Sequence, residues 1–424
     1  MTTTGDTPQL TSRLIDRSPI HYGWVVLGAS TVGMAMTIPG QTVGVSVFLD
    51  AIIADLGLSR SVVSGAYTVG TLCASLALPF VGRQIDRIGP RRAVVIIATC
   101  FALSCAFMGL VAGFITLLIG FTALRGLGQG ALSLVSIHSI NIWFVQRRGL
   151  AVGLAGVGFA AATSVLPLGL DRLMAGVGWR WSYGLLGIVV AVVMIPVGGG
   201  LFRHRPELYG LVPDRPVDRK PKVKPPGEKH YQLGEARRTL TFWLYVAGGF
   251  LMAAFGTGLV FHHFSIMVEN GVDRSSAAVM FVAYGALVAG TTLVTGFLVD
   301  RVPPRFLLSV ALGLMAAAML SAGSVASTGA VVGYGVLLGG MQGMNQAIQS
   351  TVYGHYFGRL HFGAIKGLAT TIMVAGTAGG PLLLAWGYDF SGGYQSVLRV
   401  AALFPLVMAL TAPFLPLMRD GEVL

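Results

Sequence analysis

Few side chains in this sequence are equipped for chemistry, and most of those sit at helical spacing inside long apolar runs. Arg125 is followed by Gln129, Ser133 and Ser136 at i+4, i+8 and i+11, so the four share one stripe of a helix. Gln342, Asn345, Gln346 and Gln349, at i, i+3, i+4 and i+7, form a second stripe. A guanidinium presents a planar fork that grips a carboxylate through two parallel bonds, and amides offer donors and acceptors together. Such groups recognise a polar ligand. The same groups also tie spanning helices together, and the sequence leaves both readings open. Thr37, Gln41, Tyr67 and Tyr284 add hydroxyls and one more amide to the candidate ligand contacts. His262 and His263 titrate near neutral pH in their ordinary state and are candidates for sensing or carrying protons.

Bond-making chemistry finds no such support. The sequence contains no HExxH, GxSxG or GxxxxGK[ST] pattern. Cys73, Cys100 and Cys105 are odd in number and lie apart in apolar surroundings, which suits small core residues rather than a disulfide framework or a zinc site. No enzyme, no metal and no cofactor is expected.

The elements that must position these residues are set by composition. A soluble globular chain carries about 25% charged residues. This one has 424 residues, 11% charged and 54% from the AVILMFWYC set, with a mean hydropathy of +0.74. Twelve apolar runs near 22–48, 61–82, 93–113, 115–143, 150–172, 180–202, 240–266, 275–298, 306–325, 329–356, 364–388 and 394–417 are each long enough to cross a bilayer core. The expectation is an all-α membrane protein with twelve transmembrane helices, called spans one to twelve below. The first 20 residues are polar and lack the short apolar core of a signal peptide, so the first span is expected to be retained.

The net charge of +12 orients the chain rather than pointing to nucleic acid. With the N-terminus inside, 23 of the 29 Lys and Arg residues fall on the cytoplasmic side, five lie outside, and Arg125 lies within a span. That is the positive-inside asymmetry. It predicts a multi-pass protein of the cell membrane with both termini cytoplasmic.

The sequence also repeats itself. Gly82-Arg-Gln-Ile-Asp86-Arg87-Ile-Gly-Pro90-Arg91 recurs 214 residues later as Gly296-Phe-Leu-Val-Asp300-Arg301-Val-Pro-Pro304-Arg305. Gly57-Leu-Ser-Arg60-Ser61 recurs as Gly271-Val-Asp-Arg274-Ser275, and Gln129-Gly130 reappears at Gln342-Gly343. The polar stretch 203–238, with ten basic residues, falls between the copies and reads as a solvated linker. The expected organisation is a six-helix bundle over 1–202, a cytoplasmic linker over 203–238, and a second bundle over 239–424. An even number of spans per copy makes the repeats parallel, related by an axis along the membrane normal. That plan suits an alternating-access carrier.

The loop residues Gly82, Asp86, Arg87, Gly89, Arg91 and Arg92, with their second copy at Gly296, Asp300 and Arg301, resemble the signature of the major facilitator superfamily. Leu124-Arg125-Gly-Leu-Gly128-Gln129-Gly130 resembles that family's intramembrane arginine motif. His21-Tyr-Gly-Trp24, Asp55-Leu-Gly-Leu-Ser-Arg60, Gly178-Trp-Arg180 and Arg205-Pro-Glu207-Leu-Tyr-Gly210 are similar to the monocarboxylate/oxalate–formate branch. The resemblance implies a secondary carrier of a small solute held near the midplane, acting as a monomer. It assigns a conformational switch to Gly82, Asp86, Arg87, Arg91, Asp300 and Arg301. An organic anion such as a monocarboxylate is the substrate implied. A neutral or drug-like metabolite is the alternative, because spans one and eight lack the cations with which that branch often holds carboxylates, and Lys366 sits only at the inner edge of span eleven.

The orientation is tested at the linker. In a cysteine-free background, Lys224→Cys is expected to resist impermeant thiol reagents in intact cells and to react in inverted vesicles. Labelling from outside would reverse every orientation above.

Overall fold

The computed structural model describes residues 11–144, 147–211, 213, 231–299, 301–358 and 361–415, and every regular element among them is helical. Ten helical stretches are long and apolar enough to cross a membrane. One of them, Leu150–Leu201, holds two spans, because Gly178 adopts φ +75°, a left-handed conformation that interrupts a right-handed helix. Thr328–Phe357 supplies the remaining span. Its 30 residues reach about 45 Å, but its amide stripe dilutes its hydropathy. The chain is thus an all-α membrane protein of twelve spans. Leu76, Leu110 and Phe390 are 81%, 75% and 96% exposed, a placement that only lipid makes favourable for such side chains.

Local chemistry sets the helix ends. Pro90 and Pro304, one repeat apart, each sit at the start of a helix, where the missing N–H would be unpaired in any case. Thr239, Asp273 and Ser327 cap spans seven, eight and ten by accepting from the backbone N–H groups of Phe242, Ser276 and Ala330. Among the described residues several spans depart from regular α winding, span eight among them, where Arg274–Ala278 gives way to Met280–Leu298. In span one, Gly23–Ala35 and Thr42–Leu56 flank a 3₁₀ turn at Ile38–Gly40. Span four passes into π winding over Arg125–Leu132. Span seven breaks at His262, between Leu240–Phe261 and His263–Glu269.

Contacts gather the chain into two compact units. The first comprises Met1–Gln41, Cys73–Ala162 and Val177–Lys222, and the second Thr42–Leu72, Thr163–Gly176 and Val223–Leu424. These units cut across the halves expected from the repeat, since pieces of spans one, two and five belong to the second.

In the first unit, the His21-Tyr-Gly-Trp24 motif is an aromatic clasp. His21 meets Trp143 edge-on at 6.1 Å, Tyr22 lies 5.5 Å from Trp143, and Trp24 lies 5.2 Å from Phe144, fixing the start of span one to the end of span four. Arg180, just past the Gly178 break, donates to the carbonyls of Gly109 and Val111 at 3.0 and 2.6 Å, tying span six to the end of span three.

In the second unit, Gly335, Gly339 and Gly343 repeat every fourth residue along span ten and lie against the backbone of span eight at Met280, Tyr284 and Val288. Small residues permit such approach, and dispersion then holds the helices where lipid supplies no hydrophobic drive. Thr291 and Thr292 add hydrogen bonds to the carbonyls of Gly340 and Gly343 at 3.3 and 3.2 Å. Gly376 and Gly380 play the same part between span eleven and Phe250 and Ala254 of span seven.

The glycine stripe makes a sharp prediction. A Cβ at Gly339 would lie 2.9 Å from the Cα of Tyr284, a backbone atom that cannot rotate away, whereas Gly333 faces open space. Gly339→Ala is expected to cost about 1–3 kcal/mol and lower the melting temperature of the purified protein. Gly333→Ala should leave it unchanged. Equal melting of the two variants would refute this packing.

Candidate functional site

Arg125 lies at the head of the π segment, 2% exposed, and its NH1 donates to the Gly40 carbonyl at 3.1 Å. The 3₁₀ turn makes this contact available. A Cβ on Gly40 would lie 3.3 Å from the Cα of Gly128, so two glycine backbones touch beside the guanidinium. Thr37 and Gln41 flank the same turn. The Thr37 hydroxyl donates to the Met34 carbonyl at 2.6 Å and accepts from Gln41 Nε2 at 3.0 Å. Gln129 follows one turn after Arg125, and its Oε1 is buried with no hydrogen-bond partner among the described residues. Winding with i→i+5 bonds shifts the helix register here, and such segments are frequent at functional sites. The first unit thus gathers Arg125, Thr37 and Gln41 around the Gly40 turn.

In the second unit, the stripe on span ten divides by environment. Gln349 is committed: Nε2 donates to the Tyr245 carbonyl at 3.1 Å and Oε1 accepts from the Tyr353 hydroxyl at 2.9 Å. Asn345 is 4% exposed, and its Oδ1 has no partner among the described residues. Gln342 is half-buried and Gln346 exposed. Tyr67 is fully buried, hydrogen-bonded to Thr42 at 2.7 Å, with its ring 4.5 Å from Phe261. Tyr284 is half-buried on span eight, its backbone against Gly339.

The two histidines are buried and differ in their bonding. His262 Nε2 faces the Pro381 carbonyl at 2.8 Å, which requires a proton there, and Nδ1 then accepts from the Tyr394 hydroxyl at 2.8 Å. His263 Nε2 likewise donates to the Ala277 carbonyl at 2.9 Å, while Nδ1 has no partner and the ring stacks on Tyr334.

Of the switch residues, Asp86 is exposed and faces His138 Nε2 of span four at 3.5 Å. Arg91 Nε donates to the Gly199 carbonyl of span six at 2.7 Å. Arg87 is exposed, and Gly82 packs beside Leu134. Gly89 turns the loop at φ +80°, and the His204 imidazole occupies the space a Cβ would need there. Burial in that position, together with the nearby Arg92 and Arg91 guanidiniums, holds the His204 pKa below the usual histidine value. Arg301 lies exposed over the Phe297 ring and donates to the Phe297 carbonyl. Asp300 lies outside the described residues.

The sequence reading passed over one constellation. Asp50, Arg60, Asp171, Ser265 and Arg274 converge in the second unit. Asp50 and Asp171 each lie near the end of a span, where a carboxylate taken alone reaches water. The available signal was the repeat, which sets Arg60 and Arg274 in matching positions.

The family model of the Major Facilitator Superfamily matches residues 25–269 and 246–422. The oxalate:formate antiporter of Oxalobacter formigenes is 24% identical over 92% of this chain and 91% of its own length. Monocarboxylate transporter 11 of Mus musculus is 26% identical over 91% of this chain and 85% of its own. The uncharacterized MFS-type transporter Rv1250 of Mycobacterium tuberculosis is 29% identical over 41% of this chain, and the match spans 31% of that protein. Among solved structures, a bacterial homologue of the human lysosomal transporter Spinster, inward-facing, shares the fold with a TM-score of 0.68 and 18% identity, over 93% of this chain and 96% of its own. With twelve spans and matches across both halves, this chain belongs to the Major Facilitator Superfamily of membrane transporters.

Proposed function

We propose that the protein is an alternating-access carrier of a small organic anion, a monocarboxylate or a close analogue. The observation that carries this reading is near-full-length similarity to an oxalate:formate antiporter and to a monocarboxylate transporter. Arg125, deep in a span, is the cation available to such a ligand. An arginine within a span costs roughly 2.5–3.5 kcal/mol on insertion scales, so something must compensate it. Gln129 and Asn345 join it as ligand contacts, with Gln342, Gln346, Thr37, Gln41, Tyr67 and Tyr284 as further candidates. Asp86, Arg87 and Arg91 act as the cytoplasmic latch between facings, with Gly82, Asp300 and Arg301. The bundles 1–202 and 239–424 are the moving halves, joined by the cytoplasmic linker 203–238 of a monomer in the cell membrane, both termini inside.

One observation favours the second reading, a neutral metabolite. Among the described residues Gln129 Oε1 and Asn345 Oδ1 are buried acceptors without partners, and acceptors call for a ligand that donates. Arg125 meanwhile gives a donor to the Gly40 carbonyl, as a helix tie does.

Counterflow in proteoliposomes, with monocarboxylates, dicarboxylates and neutral hydroxylated compounds as competitors, separates the readings. If the anion reading holds, Arg125→Ala should lose about one to two decades of affinity for the active anion, and Arg125→Lys should not fully restore it, because an ammonium lacks the fork. Unchanged affinity alongside a lowered melting temperature would make Arg125 a helix tie only. The two amides of span ten should part company in the same assays. Asn345→Ala is expected to weaken ligand binding with little change in melting temperature. Gln349→Ala, which strands the Tyr353 hydroxyl, should cost about 1–3 kcal/mol of stability and leave affinity unchanged. The reverse pattern would exchange their roles.

A further inference from the structure

At the end of the second unit that holds the starts of spans two and eight, four charges form a closed network. Arg60 and Arg274, one repeat apart, reach the same carboxylate. Arg60 NH1 lies 2.9 Å from Asp50 Oδ1, and Arg274 NH1 lies 3.5 Å from Asp50 Oδ2. Arg274 Nε donates to Asp171 Oδ1 at 3.0 Å, and its NH2 to the Val47 carbonyl at 2.5 Å. Ser265 donates to Asp50 Oδ1 at 2.6 Å and accepts from Arg60 NH1 at 2.7 Å. Arg60 lies over Tyr388 and Tyr394, Arg274 over Phe264, and the Ser61 hydroxyl donates to Asp389. The side chains of Asp50 and Asp171 are 27% and 10% exposed, so the network is largely withdrawn from water.

The network joins residues from both sides of the linker. Val47, Asp50, Arg60, Ser61 and Asp171 precede residues 203–238, and Ser265, Arg274, Tyr388, Asp389 and Tyr394 follow them. If the two halves of the chain part here, Asp50 and Arg60 leave together as a neutral pair. Arg274 and Asp171 are left without their charged partners. Opening therefore breaks both ion pairs of Arg274, to Asp50 and to Asp171, and leaves the Arg60–Asp50 pair intact. One helical turn deeper than Asp50, on the same face, Ser46 is 1% exposed beneath the network.

We propose that Asp50, Arg60, Asp171 and Arg274 form a gate that holds this end of the carrier shut, with Arg274 as its deciding residue. The proposal rests on the alternating-access reading, and with the orientation given above the gate faces outward. Residues that touch no ligand act on transport by shifting the population of facings.

The test uses the full-length protein in nanodiscs, with Cys73, Cys100 and Cys105 replaced by serine and with Ser46→Cys as reporter. The rate of maleimide attachment to that peptide is followed by mass spectrometry. Arg274→Gln should raise the rate about tenfold and Asp171→Asn about fivefold, and the double variant should add little to Arg274→Gln, because Asp171 has by then lost its cation. Rates within about twofold of the parent, in variants that keep the parent melting temperature, would overturn the gate. A loosened fold is distinguished by adding Ser61→Cys and Asp389→Cys to the Arg274→Gln protein. Oxidative cross-linking should return the rate to the parent value, and reductant should release it. Fast labelling in the cross-linked protein would overturn the proposal. No substrate and no sidedness enters this measurement, so failure of the gate is separate from failure of the transport or orientation reading.

Discussion

A polar group inside a bilayer has no water to fall back on, and the structure is arranged around that constraint. Each unpaired backbone or side-chain group there costs several kcal/mol, so an intramembrane donor must find a protein acceptor. In a regular helix the carbonyls are already taken. Several of the donors here go to places where regular winding stops. Arg125 meets the Gly40 carbonyl at the 3₁₀ turn of span one, and Arg180 meets Gly109 and Val111 where span three ends. His263 meets Ala277 where the first turns of span eight give way to Met280–Leu298. The breaks and the polar side chains are two halves of one solution, because each satisfies what the other leaves open.

The glycines follow from the same constraint. Between lipid-facing helices there is no hydrophobic gain, so contact must come from close backbone approach and from hydrogen bonds that closeness permits. Gly335, Gly339 and Gly343 bring span ten onto span eight, and only then do the Thr291 and Thr292 hydroxyls reach carbonyls across the seam. Gly249 is bare for a related reason. A Cβ there would stand 2.5 Å from Gln349 Nε2, in the path of its bond to Tyr245.

The architecture was legible in the sequence because hydrophobic length and internal repetition survive without knowledge of contacts. The repeat was the stronger signal at span ten, where hydropathy alone falls short. The candidate site was legible only in part. Residue type and spacing singled out Arg125 and the amide stripe, but partnership depends on backbone irregularities that one sequence does not announce. The π winding after Arg125 alters the register assumed for its stripe. On span ten, Asn345, Gln346 and Gln349 share a face by spacing, yet one is buried with a free acceptor, one is exposed, and one is bonded to Tyr245 and Tyr353. What separates them is the position of span seven, a tertiary fact. The pairing of Asp50 and Asp171 is hidden for the same reason, since their partners Arg60 and Arg274 come from the starts of spans two and eight.

Magnitudes connect the charged network to a working carrier. Fully exposed ion pairs contribute about 0–1 kcal/mol, and breaking a buried pair costs about 3–5 kcal/mol. At 10–27% exposure, the acids and arginines of the network fall between these limits. Reversing a two-state equilibrium from 1:99 to 99:1 takes about 5.5 kcal/mol, and a millimolar ligand brings about 4 kcal/mol in all. A contact far stronger than this could not be opened by binding a small solute, and one far weaker would leave both ends ajar. A partly hydrated arginine–aspartate pair lies in the interval that a carrier requires, which a deeply buried pair or a solvated surface pair would miss.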